Sequence, residues 1–506
     1  MGQVRSFADQ ARDFVDRCDV VVVGSGPGGA VVAWQLAEAG RDVVLVEEGP
    51  AFQPEDFVTD GAAAIRRLLR EDGLRTTRGN LRMPTMQAIA LGGGSLVNSA
   101  ICVRPPRATL DGWCEEFNLR ASQLSDLEPH FDAVEAAIGV AATPDEVQGQ
   151  RNLLFREGCR VLGIEAEPIR RNVRGCQGSG ECLTGCRARA KQSTDISLVP
   201  RALECGTRVY TSAQVRRVLV RGRRAVGVSG RMVRPLTGED GPAFRIEARA
   251  VVLAAGCIAT PVLLERSALA GTSQACGRNL QFHPGVAVMG VFDSPTDPGF
   301  GATQGYHSLA FVERGYKIET FWGPPGVLAM RLPGQGLAYK ENLARLRHAA
   351  VFDAIATVNR SHGRVRLRRG SLAPHLDWSL DPRDLPILAD ALWTLAKIFF
   401  AAGAKSILPG VAGLPEEMHS LDEARVLRTG GFRPEDLLCT GNHVFSTTRM
   451  HGDPALGVVD ELGRCHGTDN LFVADSGIVP RSPSVHPMLV TMALAHRVAG
   501  GVIASV

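Results

Sequence analysis

Residues 19–23 (DVVVV) form a continuous β-branched run, the pattern of a strand buried on both faces. The run leads directly into Gly24-Ser25-Gly26-Pro27-Gly28-Gly29, and then into a helical pattern over 30–39 that stops at Gly40. A second apolar run, 42–46, ends at Glu47. Farther along, 208–211, 215–220, 225–234 and 245–253 are β-rich runs separated by glycine and charged turns. Residues 285–330 and 351–380 alternate apolar and polar, with Trp322 and Trp378 among them, which predicts a one-sided antiparallel sheet. The apolar-rich stretch 384–402 predicts a long helix ended by Gly403, and another helix begins near Pro487. These elements predict an α/β protein that opens on a Rossmann-like βαβ unit and carries antiparallel sheet later in the chain.

That opening unit has a specific physical use. Gly24 permits the tight turn, Gly26 lets backbone approach a pyrophosphate, and Gly29 lets helix and strand pack closely. The helix N-terminus offers unpaired N–H groups to phosphates. Glu47, about twenty residues on, is placed to hold ribose hydroxyls. The fingerprint specifies a dinucleotide and leaves NAD and FAD open.

Composition narrows the field. The chain has 506 residues, which at roughly 100–200 residues per domain predicts two to four folding units. Hydrophobic residues make up 45% and charged residues 22%, the balance of a globular protein rather than a fibrous or disordered one. A net charge of +3 argues against nucleic-acid binding as the main activity. Arginines 216, 217, 221, 223, 224, 231 and 234, and those in 360–369, then read as solvated sheet faces. The apolar stretch 250–264 is broken by Gly256, Thr260 and Pro261, and 487–506 carries His496 and Arg497, so no membrane span is expected. The first eighteen residues mix acids and bases without an apolar core, so a cytoplasmic, thiol-reducing setting is expected.

The rest of the chain resembles the glucose–methanol–choline (GMC) oxidoreductases from end to end. Leu91-Gly-Gly-Gly-Ser-Leu-Val-Asn98, with Arg104 six residues later and then Asp111 and Trp113, resembles the family's first signature. Residues 251–261 (VVLAAGCIATP) resemble the second. Arg278-Asn279-Leu-Gln-Phe282-His283 is similar to the family's N-L-x-D-H pattern but has Phe282 where an acid is usual, so that loop is given no polar role. His443-Val-Phe-Ser446-Thr-Thr-Arg449-Met450 resembles H-x-x-G-T-x-R-M with serine for glycine, and residues 457–460 and 470–475 follow in family order.

The resemblance implies FAD, with Gly24, Gly26, Gly29, Glu47, Gly93, Gly94, Asn98, Val215 and Asp475 as its contacts. Gly93 and Gly94 would let main chain lie against a flat ring, and Asn98 would meet the flavin edge. It also implies a discontinuous FAD-binding domain (1–104, 195–285 and 435–506) and a substrate-binding or cover domain (105–194 and 286–434) on the antiparallel sheet. His443 would accept the hydroxyl proton of an alcohol, and His486 would orient the alcohol and support the alkoxide while hydride passes to flavin N5. The helix after Pro487 would aim its positive end at flavin N1. His451, His466 and His496 are read as structural.

Three of the twelve cysteines, Cys176, Cys182 and Cys186, lie close together. Buried structural thiols in a glycine-rich loop, a zinc or iron–sulfur site and a regulatory disulfide all remain open, and no metal is assigned. The expected partner is a small-molecule alcohol, a primary one giving an aldehyde. Length, cysteine loop and paired histidines resemble oxidases of the 6′-hydroxymethyl of aminoglycoside precursors in antibiotic biosynthesis. Long-chain aliphatic or sterol alcohols, a non-redox lyase of the same fold and an electron-transfer subunit are the alternatives. A polycationic substrate would need acids, and Asp293, Asp297, Glu313, Glu319 and Asp353 are available, although each is expected at the surface.

Overall fold

The structure is a computed structural model that describes residues 2–119, 127–269, 273–297, 299–367 and 373–506. The chain begins with β1 (Phe14–Val23), α1 (Pro27–Glu38) and β2 (Val43–Val46). It continues through β3 (Arg208–Tyr210), β4 (Ala213–Arg221), β5 (Arg224–Val233) and β6 (Asp240–Leu253). Then come β7 (Arg278–Phe282), β8 (Gly285–Val291), β9 (Tyr306–Ser308), β10 (Tyr316–Phe321) and β11 (Ala349–Ala356). The last elements are α2 (Leu385–Ala401), β12 (Ser406–Leu408), β13 (Val444–Phe445), β14 (Leu471–Val473) and α3 (Pro487–Ile503).

The first sheet runs Val4–Arg5, β3, β2, β1, β6, β5, β4, with β14 also on β6. β1 is longer than its apolar run: residues 14–17 alternate half-buried and exposed, and only 20–23 are continuously buried. β6 explains the difference. It pairs with β1 in parallel from Phe244↔Phe14 to Leu253↔Val23, while its other edge is antiparallel to β5 first and parallel to β14 after Val251. One strand thus joins a half-exposed meander to a sheet covered by α1 and α3. The seven arginines expected on a solvated face lie there, all exposed except the half-buried Arg216, which pairs with Asp240.

A second, wholly antiparallel sheet runs β12, β8, β11, β10, β9, Glu167–Pro168. α2 covers one face through Leu388, Leu392, Leu395 and Phe399, whose ring stacks on Phe352 with centroids 3.9 Å apart. Tyr316, Ile318 and Ala354 belong to this apolar face. The stretch 351–380 serves two sheets, because Gly363–Arg366 and His375–Trp378 join β7 and β13 in a separate antiparallel set. Residues 368–372, which include the end of the second arginine run, lie outside the described residues. Among the described residues no helix is long and apolar enough to cross a membrane.

Candidate active site

The turn after β1 is built from contacts that exclude side chains. Gly24 has φ +100°, and a Cβ there would sit 2.2 Å from the Ala254 carbonyl oxygen. A Cβ at Gly29 would lie 1.9 Å from the Gly24 oxygen, and one at Gly28 only 1.7 Å from that of Ala474. Gly28 was missed as a site residue; its partner is the end of β14, more than 400 residues away in the chain. Gly93 (φ +51°) brings the second glycine turn onto the first, since its Cβ would fall 2.7 Å from the Gly26 Cα. Around Gly94 nothing lies within 4 Å of that position, so backbone is open there. The first turn of α1 has no acid and no side-chain cap, leaving its N–H groups free for phosphate. These features fit a dinucleotide cofactor.

The predicted polar contacts are partly engaged within the chain. Glu47 is buried and accepts from Ser25 N (2.9 Å), Ser25 Oγ (2.6 Å) and Gly49 N (2.8 Å). Burial is the largest influence on its carboxyl, and holds its pKa above the usual range. Asp475 accepts from Gly256 N (3.0 Å), Thr260 Oγ1 (2.5 Å) and Gly477 N (2.8 Å), tying the loop after β6 to that after β14. Asn98 reaches Met488 Sδ at 2.9 Å, in the first turn of α3, and accepts from Ala100 N. Val215 is half-buried on β4, near where Ala213 N bonds the Glu47 carbonyl. Arg104 is a structural knot instead, paired with Glu128, Asp132 and Glu135.

The two predicted histidines meet: the rings of His443 and His486 stand edge to face, centroids 4.5 Å apart. A third joins them. β7 pairs with β13, so His283 follows Phe282 into contact with His443, Nδ1 to Nδ1 at 3.2 Å. The departure at Phe282 therefore did not remove polar chemistry from this loop; the next residue carries it. Ser482 Oγ donates to Thr357 Oγ1 (3.3 Å) and lies 2.6 Å from His283 Nε2. With the serine proton directed at Thr357, His283 donates from Nε2 and accepts at Nδ1 from His443 Nδ1–H. His443 then keeps a bare Nε2 with no partner among the described residues. Burial, followed by the positive character of His486 and His283, pushes the His443 pKa well below its ordinary value. His451 and His466 bond local backbone, and His496 meets His130, away from this cluster.

The face of the second sheet opposite α2 supplies the other wall. Cross-strand register sets His307 opposite Glu319 and Glu319 opposite Asp353, with Lys317 two positions along. Glu319 was expected at the surface; it is 0% exposed, pairs with Lys317, and its Oε1 lies 3.1 Å from His486 Nε2. Asp353 is likewise not a surface acid. It is partly buried, and its Oδ1 has no hydrogen-bond partner among the described residues. Burial, then Glu319, raises the Asp353 pKa well above the carboxylate range, against Lys317 and Arg331. Glu319 is shifted the other way, because His486 and Lys317 outweigh its burial. Asp293, Asp297 and Glu313 are exposed as expected. The expectation of exposure rested on acids usually lying at the surface; Glu319 is instead buried against the loop bearing His486.

Cys182 is buried and Cys176 and Cys186 half-buried, and among the described residues no group of three or more His, Cys, Asp or Glu is arranged to hold a metal ion.

A phosphate-binding turn on a mixed sheet, in a chain that also gathers three buried imidazoles, fits a dinucleotide-dependent oxidoreductase. GMC oxidoreductase family models match residues 25–285 and 359–495. The chain belongs to this family, and is an FAD-dependent oxidoreductase acting on CH–OH groups. It is 37% identical over 495 residues (97% of this chain, 77% of the other) to a GMC-type oxidoreductase of Mycobacterium tuberculosis. Identity to a long-chain-alcohol oxidase of Arabidopsis thaliana is 29% (97% and 68% covered), and to paromamine 6′-oxidase of Streptomyces fradiae 26% (96% and 91%). The solved pyridoxine 4-oxidase from Mesorbium loti shares the fold, with TM-score 0.72 at 20% identity and 96% and 99% of the chains covered.

Proposed function

We propose that this chain oxidises a primary alcohol to an aldehyde, and that the alcohol is a small amine-bearing molecule such as an aminoglycoside precursor with a 6′-hydroxymethyl group. The observation that carries this reading is a pair of acids, the buried Glu319 beside His486 and Asp353 across the strands from Glu319, with the Asp353 Oδ1 lacking a partner. A substrate ammonium would supply that partner, whereas an aliphatic chain would leave a buried carboxyl stranded. The similarity to paromamine 6′-oxidase supports the same reading, under which the chain acts in antibiotic biosynthesis.

FAD, when bound, supplies the two-electron oxidant that takes the carbinol hydrogen. Gly24, Gly26, Gly29, Glu47, Gly93, Gly94, Asn98, Val215 and Asp475 would hold it, in a cofactor-binding part formed by 1–104, 195–285 and 435–506. The remainder, 105–194 and 286–434, would cover the substrate. His443 accepts the hydroxyl proton at Nε2, in the tautomer that His283 and Ser482 favour. His486 orients the alcohol. Burial pushes the His486 pKa down against the opposing pull of Glu319, whose Oε1 lies beside Nε2 and favours proton gain by the ring as negative charge grows on the oxygen.

One observation favours a long-chain aliphatic alcohol: the Arabidopsis relative is slightly more similar than the Streptomyces one. Anaerobic flavin bleaching separates the readings. An amino sugar with a free 6′-hydroxyl should reduce the flavin, less efficiently as salt screens the charges, and its 6′-deoxy analogue should not. Rapid reduction by a long aliphatic alcohol with no response to amino sugars would sink the substrate assignment and leave the family intact. A flavin that no alcohol bleaches would point to the non-redox lyase instead.

A further inference from the structure

Away from the histidines, three cations are buried around one sulfur. Arg171, Lys191 and Arg151 are 2%, 1% and 1% exposed. Arg171 donates from Nη2 to Cys182 Sγ at 3.0 Å and from Nε to the Ser99 carbonyl. Lys191 donates to the carbonyls of Leu96 (2.6 Å), Asn98 (2.9 Å) and Cys182 (2.6 Å). Arg151 bonds the carbonyls of Phe300, Gly301 and Ala302. Among the described residues none of the three makes an ion pair with a carboxylate. Asp195 and the exposed Asp297 lie within electrostatic reach of Lys191 and Arg151 without pairing. Buried charge needs a counter-charge. The buried Thr303 hydroxyl, which has no hydrogen-bond partner among the described residues, is close enough to favour negative charge on the same sulfur. Burial alone would push the Cys182 pKa up, but Arg171, then Lys191, and the hydrogen bonds outweigh it and leave the group below an ordinary thiol.

We propose that Cys182 is held as a thiolate and is a site of oxidation by hydrogen peroxide, with Cys176 or Cys186, which line the same narrow cleft, as its resolving thiol. The thiolate attacks the peroxide O–O bond, giving a Cys182 sulfenic acid and hydroxide. The neighbouring thiol then attacks that sulfur, forming a disulfide and releasing water, so that peroxide gains two electrons and the two thiols lose two. The site bears on the cofactor turn, because Lys191 also bonds the carbonyls of Leu96 and Asn98.

Peptide mapping of the FAD-loaded protein tests this, with the exposed Cys205 as internal reference. Iodoacetamide should label Cys182 at a rate that changes less than twofold between pH 8 and pH 6.5, where an ordinary thiol slows about tenfold per unit. Stoichiometric hydrogen peroxide should convert Cys182 to an adduct with a 1,3-diketone probe or to a disulfide with Cys176 or Cys186. Arg171→Leu should slow Cys182 labelling at pH 6.5 at least tenfold, and Arg171→Lys should restore most of it. Should the leucine variant not fold, the wild-type pH profile and peroxide map decide alone. A Cys182 that stays unlabelled, follows the ordinary pH slope, or is spared by peroxide while other cysteines react would overturn the proposal.

Discussion

His443 is uncharged because burial and two neighbouring imidazoles all disfavour its protonated form. A neutral ring with one free nitrogen is a ready proton acceptor. His443→Ala should therefore fold and keep FAD while flavin reduction by alcohol slows about 100–10,000-fold; stopped-flow reduction at wild-type speed would remove it from the mechanism. His486→Asn should be milder, since an amide still hydrogen-bonds the alcohol. The cluster also sets a pH dependence. Burial, with His486 and Lys317, pushes His283 down to about 3, against the opposing pull of Glu319. Between about pH 6.5 and 3 the unfolded chain binds protons that the folded one refuses, so stability falls as pH falls. Glu319, shifted downward, adds to the loss only below about pH 4.5. Asp353 and Glu47, whose carboxyls are shifted upward on folding, gain stability as pH falls and oppose the histidines in the upper window. In thermal unfolding compared at pH 7 and pH 5, His283→Asn should make the variant's stability change between the two pH values more favourable at pH 5 by on the order of 2 kcal/mol relative to wild type. An unchanged slope in the variant would show that His283 is not responsible.

At the scale of elements, the cofactor turn depends on three backbone crossings rather than on one motif. Gly24 meets Ala254 after β6, Gly28 meets Ala474 after β14, and Gly93 meets Gly26. Gly28→Ala should destabilise the protein by about 3 kcal/mol, the upper end of overpacking, measurable by denaturant unfolding of the flavin-free protein. Gly93→Ala should lower the FAD retained on purification, because one turn must then move off the other. Wild-type FAD content in that variant would mean the cradle has slack. None of these partners could be anticipated from spacing, which foretold only the tight turn at Gly24 and the close packing at Gly29. The G-x-G-x-x-G pattern is local, while the partners of Gly28 and Gly93 come from distant segments. The second sheet repeats the lesson. Alternation in 316–321 was legible, but Glu319 read as a surface residue, whereas it is buried between Lys317 and the loop bearing His486.

For the whole molecule, two large apolar clusters, one on the first sheet and one under α2, place the histidines on loops between them. FAD that binds only the folded chain must stabilise it by mass action, about 2.7 kcal/mol at a hundred times its Kd. The Tm of flavin-free protein should rise with FAD concentration and not with NAD; equal shifts would contradict the cofactor assignment. Local order needed nothing beyond the amino acids. β-branched runs, a glycine turn and an acid at the end of β2 specify a dinucleotide fold, because each acts through neighbours in the chain. His443 and His486 were singled out differently, through the resemblance to the family's motifs rather than through local physics. Three things only the tertiary structure decided: that His283 joins them, that Glu319 and Asp353 wall the site, and that Cys182 sits among three cations. Each depends on which residues distant in sequence share one desolvated space, and burial, which sets the charge of every one of these groups, is a property of the packed molecule rather than of the chain.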